Sequence, residues 1–487
     1  MKRNAVRLLR RCLILALWLC TIGLTVLIVN GMRSRKGPPL QPWQTVHLKE
    51  EFTASDTPDC STLADYLAIE EKVFAELDEK IIRQLTPNDQ PLANRYARPL
   101  PAGRNWNRTV ELEPETIRGG VLMLHGLSDC PYSMKHLAEE YQRRGYVVLV
   151  LRVPGHGTIP TGILYADSKD WIAATEIGAR HVLKKIGSDL PFHIVGYSNG
   201  GALALHFALS QLEESGRTDA DRLILVSPMI GVSGAARYAR YLDWMGRIPA
   251  FAKSRWLDLM PEYLAYKYNS FPAMAGYQSY VVSSTVQQQL SRLAKKATLS
   301  TLPPILTFQS LVDATVSVRA TVDALYDFLR GNKNELVLFN LNTSSGTSPF
   351  IKDSNLTFGE ELFKDRDRHY RLSVIANRTS DSREVVEYSA PADTYETTTR
   401  DLDLVWPGGI YSLSHVALPM PPTDPEYGAN SPLARLSPHG EKNVLNVPIG
   451  QIMRIMYNPF YSYLEDKLIS WVGDDFPILP EPESPRN

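Results

Sequence analysis

The stretch Gly196-Tyr197-Ser198-Asn199-Gly200-Gly201 decides the fold of this chain. It follows a short apolar run at 192–195 and opens into a second apolar run, rich in helix formers, at 202–209. A strand, a G-x-S-x-G turn and a helix in this order hold a serine hydroxyl outward on a strained turn. The glycines let the strand and the helix approach each other, and the helix start offers backbone N–H groups to a developing anion. We therefore interpret Ser198 as a nucleophile.

Short apolar segments alternate with helix-like patterns on both sides of that stretch. The sequence predicts strands at 120–124, 146–153, 192–195, 222–226, 304–309 and 335–339, and helices at 133–144, 170–186, 318–329 and 461–472. This alternation predicts βαβ units, which build a mostly parallel central sheet with helices on both faces. The fold class is therefore α/β. The motifs discussed below lie at the carboxyl ends of these strands, where such sheets bind ligands.

The chain has 487 residues, enough for a large core and for additions to it. We assign 119–230 and 301–475 to the α/β domain, and 56–118 to an N-terminal helical extension because 61–81 has helical spacing. The aromatic segment 231–300 is interpreted as a helical cap with its own core that also covers the site. The polar segment 342–407, with short β-like runs at 371–375 and 384–388, is interpreted as an insertion of hairpin type that borders the site. A Pro-rich tail covers 476–487.

The N-terminus differs from the rest of the chain in composition. A basic flank at 1–11 with five cations precedes an apolar segment at 12–31, in which the eighteen residues 12–29 are uncharged and long enough to cross a bilayer. Three cations follow, so the bias favours a cytoplasmic N-terminus and an extracytoplasmic body, periplasmic in a bacterium. A cleaved secretory signal is the alternative, but no A-x-A-like site follows. Residues 32–55, with Pro38, Pro39 and Pro42, are expected to form a stiff linker.

Overall composition and cysteine usage exclude several function classes. A net charge of −1 with 22% charged residues argues against a general nucleic-acid-binding surface. The sequence has no spacing typical of a zinc site, so we expect no metal and no other cofactor. Cys12 and Cys20 lie in the apolar N-terminal segment, whereas Cys60 and Cys130 could form one disulfide in an oxidising compartment. Spacing alone decides neither that pair nor the oligomeric state.

A serine needs two further side chains to act as a nucleophile. A base must take the hydroxyl proton, and an acid must fix the tautomer of that base. In sheets of this type the chain order is serine, acid, histidine. Asp313 follows the predicted strand 304–309, and His415 lies in an apolar context at 411–417. We therefore predict a triad of Ser198, Asp313 and His415.

Other residues compete for two of these roles. Asp313 could instead cap the helix that follows it. His369 and His439 also follow the aspartate in the chain, although His439 lies in a turn-like sequence, and His156 precedes the serine. About a hundred residues separate Asp313 from His415, more than this architecture needs, and the insertion 342–407 accounts for the excess.

A tetrahedral intermediate also needs two N–H donors. One is expected from the amide of Asn199, directly after the nucleophile. The second is expected from the loop after the strand that ends at His125-Gly126, at the amide of Leu127. Both are backbone roles, and His125 is interpreted as a structural residue that shapes the loop.

Five motifs together resemble the α/β-hydrolase superfamily. They are His125-Gly126-Leu127-Ser128-Asp129, Pro154-Gly155-His156-Gly157, Gly196-Tyr197-Ser198-Asn199-Gly200-Gly201, Asp313-Ala314-Thr315-Val316 and Ser414-His415. The likeness is strongest to the monoacylglycerol lipase and serine-aminopeptidase-like group, over about 119–341 and again near 415 and the final helix. It implies the α/β-hydrolase fold, a helical cap between the sixth and seventh strands, and the roles given above to Ser198, Asp313, His415, Asn199 and Leu127. The apolar N-terminal segment, the helix at 61–81 and the insertion 342–407 depart from the group.

These features predict a membrane-anchored serine hydrolase that cleaves carboxylic esters of lipid or other apolar acyl groups. A serine peptidase and an acyltransferase are alternatives, because both use the same acyl-enzyme. A peptidase would need a charged subsite for a peptide terminus, and 231–300 contains no acidic cluster that indicates one. A catalytically silent binding scaffold is the alternative outside the enzymes, and the intact set of motifs disfavours it.

Overall fold

The structure is a computed structural model of the whole chain. It describes residues 10–15, 17–18, 21–23, 25, 29, 31, 39–86, 94–97, 103–296, 298–330, 333–344, 361–365, 367–394, 396–431, 440 and 454–476. Within these ranges no helix has both the length and the apolar character that a membrane crossing requires. Parts of the apolar segment 12–31 and nearly all of the tail 476–487 lie outside the described residues.

The described strands belong to one large sheet and one small one. In chain order they are β1 (Val110–Leu112), β2 (Gly119–Leu124), β3 (Tyr146–Leu151), β4 (Phe192–Tyr197), β5 (Arg222–Val226), β6 (Trp256–Asp258), β7 (Phe271–Pro272), β8 (Ile305–Ser310), β9 (Glu335–Phe339), β10 (Arg371–Asn377), β11 (Glu384–Ala390) and β12 (Thr398–Val405). The large sheet has ten strands in the order β1-β3-β2-β4-β5-β8-β9-β10-β11-β12, and β6 pairs with β7. The six strands predicted from the sequence form its centre.

The middle of the large sheet is parallel. Neighbours from β3 to β10 run parallel, whereas β1 pairs antiparallel with β3 at one edge, and β11 and β12 are antiparallel at the other. The central strands are buried on both faces, which is why their sequences are continuous apolar runs. Strand β1 shows that 56–118, assigned to a helical extension, also contributes an edge strand to the sheet. Three residues are too few to give a periodic signal.

Helices cover both faces of the sheet. They are α1 (Leu63–Lys80), α2 (Lys135–Arg143), α3 (Gly162–Tyr165), α4 (Ser168–Ile186), α5 (Asn199–Ser215), α6 (Ala239–Gly246), α7 (Ala273–Lys295), α8 (Val318–Ala324) and α9 (Tyr461–Val472). One core joins the sheet to α1, α4, α5, α7 and α8, and a second core joins its other face to α2 and α9. The alternation of side chains along each strand produces the two cores. In β2, Leu122 faces the first core and Val121 faces the second.

The segment 231–300 is mostly helical, but its packing differs from the expectation. Helix α7 shares the main core, with Val282, Val286 and Leu290 buried at helical spacing. The aromatic side chains of Tyr241 and Trp244 on α6 are instead exposed. The prediction that these aromatics form a separate cap core is therefore wrong, and the cap is fixed to the domain mainly through α7.

The insertion 342–407 extends the central sheet. The expected hairpin is present as β10 and β11, but β10 also pairs in parallel with β9, and a third strand, β12, forms the edge. Strand β12 is mostly exposed and carries Arg400, Asp401 and Asp403. Charges of this kind protect a sheet edge from pairing with other chains. They also interrupt the apolar pattern from which a strand is predicted in the sequence. Residues 345–360 of the insertion lie outside the described residues.

Residues 39–55 pack against the domain, which corrects the prediction of a stiff linker. Trp43, Leu48 and Phe52 are buried. Trp43 and Leu48 lie in a small core with Val73 and Leu77 of α1. An apolar side chain every four or five residues gives this segment enough burial to hold it on the surface, despite its prolines.

Cys12, Cys60 and Cys130 are free thiols. The disulfide that the sequence left open between Cys60 and Cys130 is therefore absent. Cys130 donates its S–H to the Tyr266 carbonyl at 3.1 Å, and burial raises its pKa to about 12. At neutral pH it stays protonated and therefore unreactive.

Candidate active site

Ser198 lies on a strained turn between β4 and α5. Its φ of 55° with ψ −117° is a backbone conformation that residues other than glycine rarely adopt. Two backbone hydrogen bonds hold the turn, from the Ser198 N–H to the Val226 carbonyl and from the Met229 N–H to the Ser198 carbonyl, each 2.9 Å long. The strain is therefore supported from both sides, and the serine is fixed at the carboxyl end of β4.

Close packing around this turn requires glycine at two positions. A Cβ on Gly196 would lie 2.5 Å from the Gly200 carbonyl oxygen, and a Cβ on Gly200 would lie 2.0 Å from the Leu124 carbonyl oxygen. No side chain fits at these distances. The G-x-S-x-G pattern thus reports the tight contact between β4, α5 and the end of β2.

The structure brings Ser198, Asp313 and His415 together. His415 Nε2 lies 2.9 Å from Ser198 Oγ, and His415 Nδ1 lies 2.7 Å from Asp313 Oδ2. Because a carboxylate can only accept, Nδ1 carries the proton and Nε2 accepts from the serine hydroxyl. The arrangement can therefore move a proton from the serine to the imidazole.

Asp313 is held as a carboxylate. Its Oδ1 accepts from the N–H groups of Thr315 at 2.8 Å and Val316 at 2.9 Å. Burial favours the neutral acid, but the neighbouring imidazole of His415 and the two amides outweigh it and hold the pKa of Asp313 below its ordinary value. The helix-cap alternative does not apply, because Ser317 caps α8 with its own side chain.

The three side chains are shielded from bulk water. Ser198 and His415 are each 3% exposed, and the side chain of Asp313 is fully buried. Ser310 Oγ, at the end of β8, donates to the Leu413 carbonyl at 2.8 Å and so fixes the loop that carries the histidine. Charge interactions inside such a site are stronger than in water.

The amides of Leu127 and Asn199 are available to an anion. Among the described residues, neither N–H donates to a protein acceptor. Asn199 is the first residue of α5, where an N–H has no partner within the helix. The loop of Leu127 lies against Ser198, since a Cβ on Gly126 would be 3.1 Å from Ser198 Cβ. Both predicted donors thus come from segments that adjoin Ser198.

His125 orients the peptide between Gly126 and Leu127. The Val153 N–H donates to His125 Nε2 at 3.0 Å, which leaves the ring proton on Nδ1, and Nδ1 donates to the Gly126 carbonyl at 2.9 Å. Burial holds the pKa of His125 well below its usual range, so the ring stays neutral. In a trans peptide the carbonyl and the following N–H point in opposite directions. Fixing the Gly126 carbonyl therefore turns the Leu127 amide away from His125, in agreement with the structural role expected for this histidine.

The cap segment 266–268 holds the same loop from outside. Lys267 Nζ lies 2.9 Å from Asp129 Oδ1, and the Tyr268 N–H donates to the Ser128 carbonyl at 2.8 Å. The Tyr268 hydroxyl accepts from the Thr158 N–H at 2.7 Å. Sequence reasoning missed these contacts, because the partners are more than a hundred residues apart. In the sequence, the aromatic composition of 231–300 indicated that this segment covers the site, but it did not indicate these contacts.

A buried arginine connects the N-terminal extension to the loop 154–157. Arg152 is fully buried and donates from Nε to Glu70 at 3.0 Å and from its two Nη atoms to Glu51 at 2.8 and 2.9 Å. Nη1 also donates to the His156 carbonyl at 2.9 Å. A buried charge is tolerated only when it is paired in this way. The sequence analysis missed this cluster too, since charged residues are normally at the surface.

The histidines that compete with His415 lie elsewhere. His369 Nδ1 pairs with Asp393 at 2.6 Å on the sheet extension. His156 is buried, and its Nδ1 faces two backbone carbonyls. His439 lies outside the described residues. Of the described candidates, His415 is the one in contact with Ser198.

The burial of His156 predicts a loss of stability in acid. Burial lowers its pKa to about 4, whereas the unfolded chain has an ordinary value of about 6.5. Between these two pKa values the unfolded chain binds a proton that the folded protein does not. The contribution of neutral His156 to the free energy of unfolding is therefore fully present above pH 6.5 and is lost as the pH decreases toward 4. The full effect is about 3 kcal/mol. Urea unfolding of the parent and of His156→Gln, at pH 7 and at pH 4.5, should show a smaller pH-dependent loss in the variant. Equal pH-dependent losses in the parent and in His156→Gln would show that His156 does not cause the loss. His369→Gln, a change at a surface histidine, is the control.

Comparison with known proteins gives one family match, over the central part of the sheet. Residues 121–338 match the alpha/beta hydrolase family. The chain has an alpha/beta hydrolase fold. The matched stretch contains Ser198 and Asp313 but ends before His415. The histidine and the strands β10 to β12 therefore belong to the part of this hydrolase fold that lies beyond the match.

Individual relatives cover only part of this chain. The thermostable monoacylglycerol lipase of Bacillus sp. (strain H-257) is 31% identical over 128 residues, which is 26% of this chain. The chain thus spans about half the length, 50%, of the curated relative that it matches. A solved structure from work on LipS and LipT, two metagenome-derived lipolytic enzymes, is 22% identical with a TM-score of 0.38 and covers 48% of this chain and 87% of its own. A soluble variant of the monoglyceride lipase of Saccharomyces cerevisiae, in complex with a substrate analog, is 14% identical with a TM-score of 0.37, covering 47% and 81%.

Proposed function

We propose that this chain is a serine hydrolase that cleaves carboxylic esters. The observation that carries the proposal is the continuous relay from Asp313 through His415 to the Ser198 hydroxyl, with contacts of 2.7 and 2.9 Å. Two unpaired backbone amides next to the serine supply the second requirement of acyl transfer, a site for the oxyanion. The alpha/beta hydrolase fold places such a serine at the end of a central strand.

Acylation begins when Ser198 Oγ attacks the carbonyl carbon of the ester. Its proton passes to His415 Nε2, and the carboxylate of Asp313 stabilises the imidazolium that forms. The carbonyl oxygen becomes an oxyanion, which the amides of Leu127 and Asn199 bind. His415 then gives the proton to the leaving alcohol as the C–O bond breaks, and an acyl-enzyme remains.

Deacylation uses water as the second nucleophile. His415 takes a proton from a water molecule, whose oxygen adds to the acyl carbon. The second tetrahedral intermediate collapses with Ser198 Oγ as the leaving group, and the proton on His415 restores the serine hydroxyl. The carboxylic acid is released and the site returns to its starting state.

We favour esters of lipid or other apolar acyl groups as substrates. The 31% identity to a monoacylglycerol lipase over 128 residues supports a lipid ester. The buried position of the relay also supports an apolar acyl group, because such a group can enter a dry site without a desolvation cost. The proposal therefore specifies the acyl group as apolar and leaves the alcohol open.

A substrate panel tests the proposed reaction. We expect the purified full chain to be labelled by a fluorophosphonate probe on the peptide that contains Ser198, and to hydrolyse 4-nitrophenyl esters and monoacylglycerols of graded chain length. Faster cleavage of peptide anilides than of esters would indicate a peptidase instead. Acyl transfer to glycerol in excess of hydrolysis would indicate an acyltransferase. Absence of both labelling and turnover in a folded sample would indicate a binding scaffold.

We also propose that residues 12–31 anchor the chain in a membrane with its body on the extracytoplasmic side. The support is the uncharged run 12–29 and the excess of cations before it. In addition, Leu13, Leu17 and Trp18 among the described residues are each more than 60% exposed. A protease added to intact cells whose outer barrier has been removed should digest the body and leave the anchor in the membrane. Complete protection would reverse the topology.

A further inference from the structure

One side of the cap is both aromatic and basic. Helix α6 and the turns next to it carry six exposed side chains, which we call the cap face: Arg237, Tyr238, Arg240, Tyr241, Trp244 and Arg247. Tyr241, Trp244 and Arg247 recur every three residues, whereas Ala239, Asp243 and Met245 of the same helix are buried. Trp244 is 68% exposed, an unusual position for so large an apolar group. Helices with this distribution are typical of segments that lie in the headgroup region of a bilayer.

The positive charge of the cap face is only partly balanced by acids. The acid on α6, Asp243, is buried and is occupied by Arg255 Nε at 2.7 Å, with Arg247 Nη2 at 3.4 Å. Arg237 and Arg240 donate to the hydroxyls of the adjacent tyrosines, at 2.7 and 3.0 Å, and pair with no carboxylate among the described residues. Arg247 keeps 71% of its side chain exposed. The cap face therefore favours an anionic partner.

The described end of the N-terminal segment lies next to the cap face. Phe251 follows α6 in the 3-10 helix Pro249–Arg255, and its Cε1 lies 3.3 Å from the position of a Cβ on Gly31. Earlier helical residues of that segment expose Leu13 and Leu17. The N-terminal segment and the cap thus each carry exposed apolar side chains, and the two elements meet at Gly31 and Phe251, which indicates a common apolar partner.

We propose that the cap face lies on the surface of an anionic phospholipid bilayer. Its aromatic side chains then lie at the headgroup level, and its three arginines contact lipid phosphates. An acidic protein or a second copy of the chain would satisfy the charge, but neither accounts for the apolar side chains of the adjacent N-terminal segment. The proposal depends on this surface and not on the catalytic role of Ser198.

Hydrogen exchange of the full chain in liposomes tests the proposal. The two samples contain phosphatidylcholine alone, or an equal mixture of phosphatidylcholine and phosphatidylglycerol. We expect the amides of 237–248 to exchange at least about tenfold more slowly in the mixture, because each arginine close to an anionic surface strengthens binding about fivefold. The exchange rates of the amides in the edge strand 398–405 should be the same in both samples. This strand lies five strands away from β5, after which the cap begins. High salt should remove the difference.

Variants separate the cap face from the N-terminal segment. A chain with Arg237→Gln and Arg240→Gln should lose the protection, whereas the matched control with Arg319→Gln and Arg378→Gln, which removes the same charge elsewhere, should keep it. Flotation of the same samples with the liposomes reports attachment through the N-terminal segment independently. Equal exchange rates of 237–248 in the two kinds of liposome would overturn the proposal. Protection already present in detergent would show a contact between protein copies and would overturn it as well.

Discussion

Replacing Ser198 by alanine is expected to lower kcat for a short-chain 4-nitrophenyl ester by about 10⁴- to 10⁶-fold and to abolish labelling by a fluorophosphonate. The substitution removes the atom that attacks the carbonyl, together with its 2.9 Å contact to His415. The backbone amides of Leu127 and Asn199, the proposed oxyanion donors, remain in place. The free energy of unfolding should change by no more than about 1 kcal/mol, because one hydrogen bond is lost. Steady-state kinetics, probe labelling and urea unfolding measure the three quantities.

Ser227 offers a matched control for this variant. It also has a positive φ, 43°, it follows the carboxyl end of β5, and its buried Oγ has no hydrogen-bond partner among the described residues. Ser227→Ala therefore makes the same chemical change on a comparable turn and should retain the turnover of the parent. Equal labelling of the parent and of Ser198→Ala would remove Ser198 from the proposed role.

Asp313→Asn is expected to lower kcat by about 10⁴-fold at neutral pH, with little effect on KM. The amide can still accept from the Thr315 and Val316 N–H groups, so the loop keeps its shape. An amide cannot stabilise an imidazolium, and it can hold His415 in the tautomer whose Nε2 carries the proton, which is unable to accept from the serine. The loss should therefore appear in the chemical step. Single-turnover acylation by a 4-nitrophenyl ester measures that step directly.

A second histidine–aspartate pair controls for the loss of charge. Asp393 contacts His369 Nδ1 at 2.6 Å on the sheet extension, away from Ser198. Asp393→Asn should leave kcat unchanged. If Asp313→Asn acylates as fast as Asp393→Asn does, the 2.7 Å contact between Asp313 and His415 has no part in catalysis.

The centre of the fold was predictable because its signals are local. A buried parallel strand needs an unbroken apolar run, and 222–226 and 335–339 were identified to the residue. The turn at Ser198 is marked in the sequence by glycines on both sides of the serine, all within six residues. The chain order of the three relay residues follows from the order of the strands that carry them.

Signals that are weak or absent along the chain account for what was missed. Strand β12 is an exposed edge whose charges interrupt any apolar pattern. The free thiols of Cys60 and Cys130 could not be foreseen, because a disulfide depends on the distance and orientation of two side chains and not on their spacing in sequence. The prolines of residues 39–55 suggested a linker, but three apolar side chains of this segment are buried against the domain.

By itself, the sequence determined the parallel sheet and the strained serine turn, and it predicted the three side chains that the structure brings into contact. Only the tertiary structure decided which distant groups support them. Lys267 of the cap pairs with Asp129 of the loop beside Ser198, and Arg152 is buried between Glu51 of the segment 39–55 and Glu70 of α1. The physical reason is that an apolar run or a tight turn determines its own backbone conformation from neighbouring residues. A charged residue is instead predicted to lie at the surface, because the partner that allows its burial is distant in the sequence and is brought close only by folding.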